Sequence, residues 1–254
     1  MIIGVSRAAG IALGLALLAA CGGGPDKLQP SATPAAAPAA PIDPATVADI
    51  SGHITLQGTP PRAEKIKTAS DPNCTAPVYT ESFVTGDNGA LQNVFVYVKD
   101  GLGNRTFPVP TTPVVLSQKN CTYVPHVLGV MAGQSIELRN DDPTLHNIHA
   151  LPEANREFNM GQPIQGMRQQ HIFSATEVMV PFRCDVHRWM NAFVGVLDHP
   201  FYAVTTRDGT FELKGLPPGT YTIEAVHEKL GRQTQTVTVG PKETKSDVSF
   251  TFKV

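Results

Sequence analysis

Short apolar runs, nearly all closed by a turn signal, constrain this chain more than any other feature. "ISGHITLQ", "LQNVFVYVKD", "TPVVLSQ", "SIELRN", "EVMVPFR", "AFVGVLD", "GTFELKG", "YTIEAVH", "TQTVTVG" and "SDVSFTFKV" are rich in β-branched and aromatic residues, and often alternate. Alternation at a period of two turns one face of a strand to a core and leaves the other polar. Between the runs stand "GDNG", "DGLGN", "NDDP", "RDG" and "LPPG", whose residues supply the backbone angles that tight turns need. No convincing amphipathic helix of three turns is present. The pattern predicts an all-β fold, of sandwich type. The 22 Gly, the 22 Pro and the 17 % of charged residues agree with turn-rich β-structure.

At 254 residues the chain can bury one large core or two small ones. Its net charge of −2 leaves no basic footprint for nucleic acid, which is not expected as a partner. The N-terminus, "MIIGVSRAAGIALGLALLAAC", sets Arg7 ahead of an apolar run too brief to be an obvious membrane span. It ends in Leu18-Ala19-Ala20-Cys21, which resembles a bacterial lipobox. The resemblance implies a lipoprotein signal peptide over residues 1–20 and a diacylglyceryl thioether on Cys21; an ordinary signal peptide and an uncleaved anchor are the alternatives. The expected location is the periplasm, on a lipid bilayer that several acyl chains on Cys21 would hold stably. The outer membrane is slightly favoured, since Gly22 rather than Asp follows the cysteine. Residues 21–47, dominated by Pro and Ala, are predicted to be a semi-extended linker.

Near the C-terminus, "VTTRDGTFELKGLPPGTYTIEAVH" resembles the carboxypeptidase regulatory-like domain, a small prealbumin-type β-sandwich. That family's opening strands are missing after residue 200, but "ISGHITLQGTPP" and "LQNVFVYVKDG" read like them. The expected organisation is therefore a discontinuous sandwich, 48–104 and 200–254, with a second domain at 105–199; two consecutive domains are the alternative. Nothing in the regulatory-like part points to catalysis, and His227 and Glu228 are expected at a solvated strand end.

The chemistry concentrates in "PFRCDVHRWMNAFVGV", where Cys184, His187 and Met190 recur at a spacing of three. A thiolate, an imidazole and a thioether could be metal ligands, and a second imidazole would complete a His₂Cys plane with a distant axial Met. "LHNIHA" offers His146 and His149, which face opposite sides of an extended strand, and spacing alone does not choose between them. "NDDPTLHNIHA" followed by "CDVHRWM" resembles a cupredoxin of the amicyanin kind, over roughly Val114 to Asp198. The resemblance implies a Greek-key sandwich holding one copper ion, cycling between Cu(I) and Cu(II), on His146, Cys184, His187 and Met190. It implies that Asn147 hydrogen-bonds across to the ligand loop, that His149 stands off the metal, and that His187 lies near the surface as the electron's exit. Arg188 departs from the pattern, where such loops tend to carry Pro; Trp189 keeps an aromatic beside the Met.

With Cys21 lipidated and Cys184 on copper, Cys74 and Cys121 remain to pair in an exported protein, against the alternative of two free thiols. His53, His126 and His199 are expected to be structural or exposed. Met160, Met167 and His171 are expected to line the copper pocket, a second Cu(I) site being the alternative. The function these readings imply is membrane-tethered electron transfer to redox partners of the cell envelope, with no enzyme activity. Copper storage, delivery or sensing is one alternative, and an interaction module with a vestigial site another.

Overall fold

The structure, a computed structural model, describes residues 41–254; the signal segment 1–20, Cys21 and most of the linker 21–47 lie outside the described residues. Two strands come first, β1 (Ala48–Gln57) and β2 (Phe95–Asp100). Then follow β3 (Val114–Lys119), β4 (Thr122–Val124), β5 (Val127–Met131), β6 (Ser135–Asn140), β7 (His146–Ala150), β8 (Phe158–Gln162), β9 (Arg168–Ile172), β10 (Glu177–Arg183) and β11 (Asn191–Leu197). The chain closes with β12 (Tyr202–Val204), β13 (Thr210–Leu216), β14 (Gly219–His227), β15 (Gly231–Val239) and β16 (Thr244–Lys253). The fold is all-β: among the described residues the single helical element is a 3₁₀ turn at Asp87–Gly89, and no helix is long and apolar enough to cross a membrane.

Among the described residues four sheets arise, ordered β13-β1-β16, β12-β2-β14-β15, β5-β11-β10-β7-β8 and β4-β3-β6-β9. The first two face each other across a core that includes Ile50, Ile54, Val96, Phe211, Ile223, Val237 and Phe250. The other two enclose Leu116, Tyr123, Ile136, Ile148, Phe173, Val180, Phe182 and Val194. Each fully buried side chain of this size contributes about 1.5–3 kcal/mol, so the alternation of each strand dictates which face turns inward. The chain thus starts one sandwich with β1 and β2, builds the other entirely from β3 to β11, and returns to the first with β12.

Where the sandwiches meet, two glycines lie opposite each other on parallel strands, Gly129 of β5 and Gly195 of β11. A Cβ at Gly129 would stand 2.2 Å from the Tyr202 ring, and one at Gly195 2.3 Å from the Phe95 ring. Their missing side chains let those two rings, stacked at 5.7 Å, lie flat on the second sandwich. Val127, Leu197 and Val226 complete this junction.

Three histidines remote from the metal loop, His126, His199 and His227, are buried, whereas His53 is only partly so. His126 is buried with Nε2 3.2 Å from a Glu228 carboxylate oxygen, and His199 Nε2 lies 2.8 Å from the Val98 carbonyl. His227 and Glu228 are not a solvated strand end. His227 is 2 % exposed, flanked by Phe83 and Phe252, and its Nδ1 accepts the N–H groups of Lys229 and Leu230. The β14–β15 turn folds back on the first core, which alternation within β14 does not encode.

Burial pushes the His227 pKa from 6.5 down to about 4, with Glu228 opposing the shift and His126 and Lys229 adding to it. The ring is therefore neutral in the fold, and below pH 6.5 the unfolded chain binds a proton that the folded chain refuses. Stability falls as pH drops from 6.5 towards 4, by about 3 kcal/mol from this one group. Urea midpoints measured across that window show the slope, and His227→Leu is expected to remove about that much of it.

Candidate metal centre

Strands β7 and β10 bring the sequence-predicted donors together. His146 opens β7, and Cys184 follows β10, which pairs with β7 through Phe182–Ala150 and Arg183–His149. From Cys184 the chain makes a closed loop rather than a helix. The Cys184 N–H donates to the Met190 carbonyl at 3.2 Å, the Met190 N–H to the His187 carbonyl at 2.8 Å, and the His187 N–H to the Cys184 sulfur at 3.3 Å. The spacing of three therefore serves a turn whose side chains point inward.

Donor atoms of His146, Cys184 and His187 lie within 4.8 Å of one another, and all three residues are buried. Met190 is buried in the same core cluster as Cys184. The two Nδ1 atoms face each other at 2.8 Å. Each ring's Nε2 faces a carboxylate: Asp142 Oδ2 at 2.9 Å from His146 and Asp71 Oδ2 at 3.0 Å from His187. Those acceptors assign the proton to Nε2 on both rings and leave the Nδ1 lone pairs converging beside the sulfur. Two converging lone pairs and a thiolate repel one another unless a proton or a metal cation lies among them.

Electrostatics at the loop favour an ionised sulfur. Burial penalises the Cys184 thiolate, but the His146 ring and the N–H groups of Asn147, His187 and Val186 outweigh it and hold the thiol below its ordinary pKa. Burial lowers His146, but Asp142 and then Cys184 outweigh it and raise its pKa. Burial dominates at His187 and lowers it despite Asp71. The Asp71 carboxyl is pulled down to about 2, chiefly by the Thr144 hydroxyl at 2.6 Å.

Asn147 spans from β7 to the loop. Its Oδ1 accepts the Asp185 N–H at 2.6 Å, and its Nδ2 donates to Asn159 and Asp185. His149 points away from the cluster, between Asp185 at 2.9 Å and Glu157 at 2.8 Å. Beneath the loop, the buried Tyr123 hydroxyl donates to the carbonyls of Asn147 and Arg183. Met160 packs on the core from β8, whereas Met167 precedes β9 on the other sheet and His171 stacks on Phe158 at 3.9 Å.

The expectation that His187 lies near the surface is corrected. The ring is 2 % exposed, because the segment between β1 and β2 runs over it. Asp71 bonds its Nε2, Cys74 Sγ lies 3.8 Å from the same atom, and Trp189 packs 5.0 Å away. Cys74 and Cys121 form a disulfide that fixes this cover to the β3–β4 hairpin. Cys184 is the free cysteine among the described residues. Two contributors were missed from the sequence. Asp142 carried a signal, four residues before His146 in "NDDP"; Asp71, 116 positions from its partner, carried none.

A thiolate, two imidazoles and a thioether fit a soft trigonal copper site with a weak axial ligand, and the thioether fits zinc poorly. Cys184 also lines a surface recess with Arg183, Asp185 and Arg188.

Residues 190–253 match the family model of the carboxypeptidase regulatory-like domain, beginning just ahead of β11. No curated protein matches the chain. The solved structures it resembles include cupredoxins. They also include a copper-containing nitrite reductase (NirK) from Thermus scotoductus SA-01, 17 % identical over 37 % of this chain, at a TM-score of 0.33. The match spans 26 % of the length of that reductase. A purple cupredoxin from Nitrosopumilus maritimus is 23 % identical over 33 % of this chain and 98 % of its own, at a TM-score of 0.29. A reduced tryptophan-to-tyrosine mutant of amicyanin is 20 % identical over 35 % of this chain and 85 % of its own, at 0.30.

Proposed function

We propose that this chain is a membrane-tethered blue copper protein that carries electrons in the periplasm, with one copper on His146, Cys184, His187 and Met190. The observation that carries this reading is the convergence of two Nδ1 atoms beside the Cys184 sulfur while both Nε2 atoms are tied to carboxylates. When bound, copper supplies a one-electron couple, and no substrate bond is made or broken. The chain's residues do the rest. Asp142 and Asp71 hold protons on Nε2 and fix both rings, and Asn147 and Tyr123 pin the loop from β7. Burial of all the donors excludes water, and rigid donors change little between oxidation states.

Since His187 is covered, the recess that Cys184 shares with Arg183, Asp185 and Arg188 is an open approach for a redox partner of the cell envelope. Lipidation of Cys21, with residues 21–47 as tether, would keep the site near the membrane.

The full chain, purified in detergent, is expected to turn intensely blue or green with Cu(II) through thiolate-to-copper charge transfer, and Cys184→Ala to lose the colour entirely. Copper binding without colour would sink the carrier reading in favour of storage or delivery. Absence of binding would leave an interaction module.

A further inference from the structure

We infer that Cys74 and Cys121, once their disulfide is reduced, form a second metal site for a thiophilic divalent cation of the zinc class, on the outer edges of His146 and His187. This site uses other atoms than the first and does not rest on the copper reading. Two donor clusters carry it. A carboxylate oxygen of Asp71, Cys74 Sγ and a His187 ring nitrogen lie within 4.8 Å of one another, as do Cys121 Sγ, a carboxylate oxygen of Asp142 and a His146 ring nitrogen. The disulfide joins the two clusters into one patch of two sulfurs, two carboxylates and two imidazole edges, buried apart from the half-buried Asp71.

The contacts within it are close. Asp142 Oδ2 lies 2.9 Å from His146 Nε2 and accepts the Cys121 N–H at 2.8 Å. Asp71 Oδ2 lies 3.0 Å from His187 Nε2, and Cys74 Sγ 3.8 Å from that nitrogen. While oxidised, neither sulfur can act as a thiolate. A phosphine delivers the two electrons that break the S–S bond; phosphorus takes up oxygen from water and two thiols form. A divalent cation then displaces both thiol protons. Two thiolates with the carboxylates of Asp71 and Asp142 complete a four-coordinate sphere of sulfur and oxygen donors that zinc accepts. A cation there draws the carboxylates from the rings they orient, so the oxidation state of this sulfur pair governs how firmly His146 and His187 are held.

The test uses metal-free Cys184→Ser protein, in which the first site lacks its thiolate, with cobalt(II) as the probe. Before reduction no thiolate-to-cobalt band is expected. After phosphine treatment one equivalent of cobalt should bind with that near-ultraviolet band. Adding Asp71→Asn should weaken binding about tenfold or more, and adding Cys74→Ser with Cys121→Ser should abolish the band. The inference is overturned if the reduced chain stays folded by circular dichroism yet shows no band. It is overturned equally if the reduced chain unfolds and cobalt does not refold it, if the band precedes reduction, or if it survives in the double serine variant.

Discussion

Replacing Cys74 and Cys121 together by alanine is expected to lower the stability of the protein by about 4 kcal/mol. The bond closes a loop with a sequence separation of 47, and restricting the unfolded chain over that length accounts for most of the figure. The native state adds to it, because both sulfurs pack in the core of the second sandwich. Urea midpoints at an unchanged m-value read the loss. A deficit below about 1 kcal/mol would show that the segment between β1 and β2 is held by other contacts. The damage should also be local. Amide exchange should quicken most around Asp71 and in the Cys184–Met190 loop, where Asp71 and Cys74 cover His187.

The second large effect lies in the other sandwich. Glu224 is 1 % exposed on β14 and accepts from the Tyr97 hydroxyl at 2.5 Å, Lys99 at 2.7 Å and Arg232 at 2.8 Å. Burial would raise its pKa, but Lys99, then Tyr97 and Arg232 outweigh it and hold the carboxyl below 4.5. Both cations are about half exposed and can hydrate alone, whereas the carboxylate cannot. Lys99→Met with Arg232→Met is therefore expected to cost about 3–5 kcal/mol at pH 7, the cost of stranding a buried charge. Glu224→Gln, which strands no charge, should cost less. The pH dependence distinguishes the two. In the wild type the depressed carboxyl stabilises above its unfolded pKa, and that stabilisation is lost as pH falls through the folded value. In the double methionine variant the stranded carboxyl titrates higher, so the deficit shrinks on acidification as Glu224 becomes neutral. A deficit independent of pH would mean that lost packing, not charge, is responsible.

How much of this was legible in sequence depends on how local each signal is. Alternation and turn residues are short-range, so strands such as "LQNVFVYVKD" and "TQTVTVG" could be read directly. Cys184, His187 and Met190 are spaced by a single loop, and "HN" with its preceding "NDD" is one short stretch, so the residues that the fold gathers around Cys184 could be picked out as well. Cysteine parity led to the Cys74–Cys121 pair. What covers His187 was not legible. Asp71 comes from a segment whose pairing is confined to isolated bridges, such as Lys65–Tyr79, and no periodicity there reports where it docks. The burial of His227 and Glu228 was missed for the same reason, since the β14–β15 turn packs on residues distant in sequence.

Covering His187 with chain from outside the β3–β11 sandwich also limits how portable the centre is. A fragment cut at 105–199 would carry all four proposed donors and keep Asp142, Asn147 and Tyr123. It would leave behind Asp71 and Cys74, and with them one of the two carboxylates that set ring tautomers. Grafting the loop elsewhere would therefore transplant a ligand list without half of its outer coordination. In that respect the two sandwiches are one inheritable unit: recombination that parted them would split a single site across two proteins.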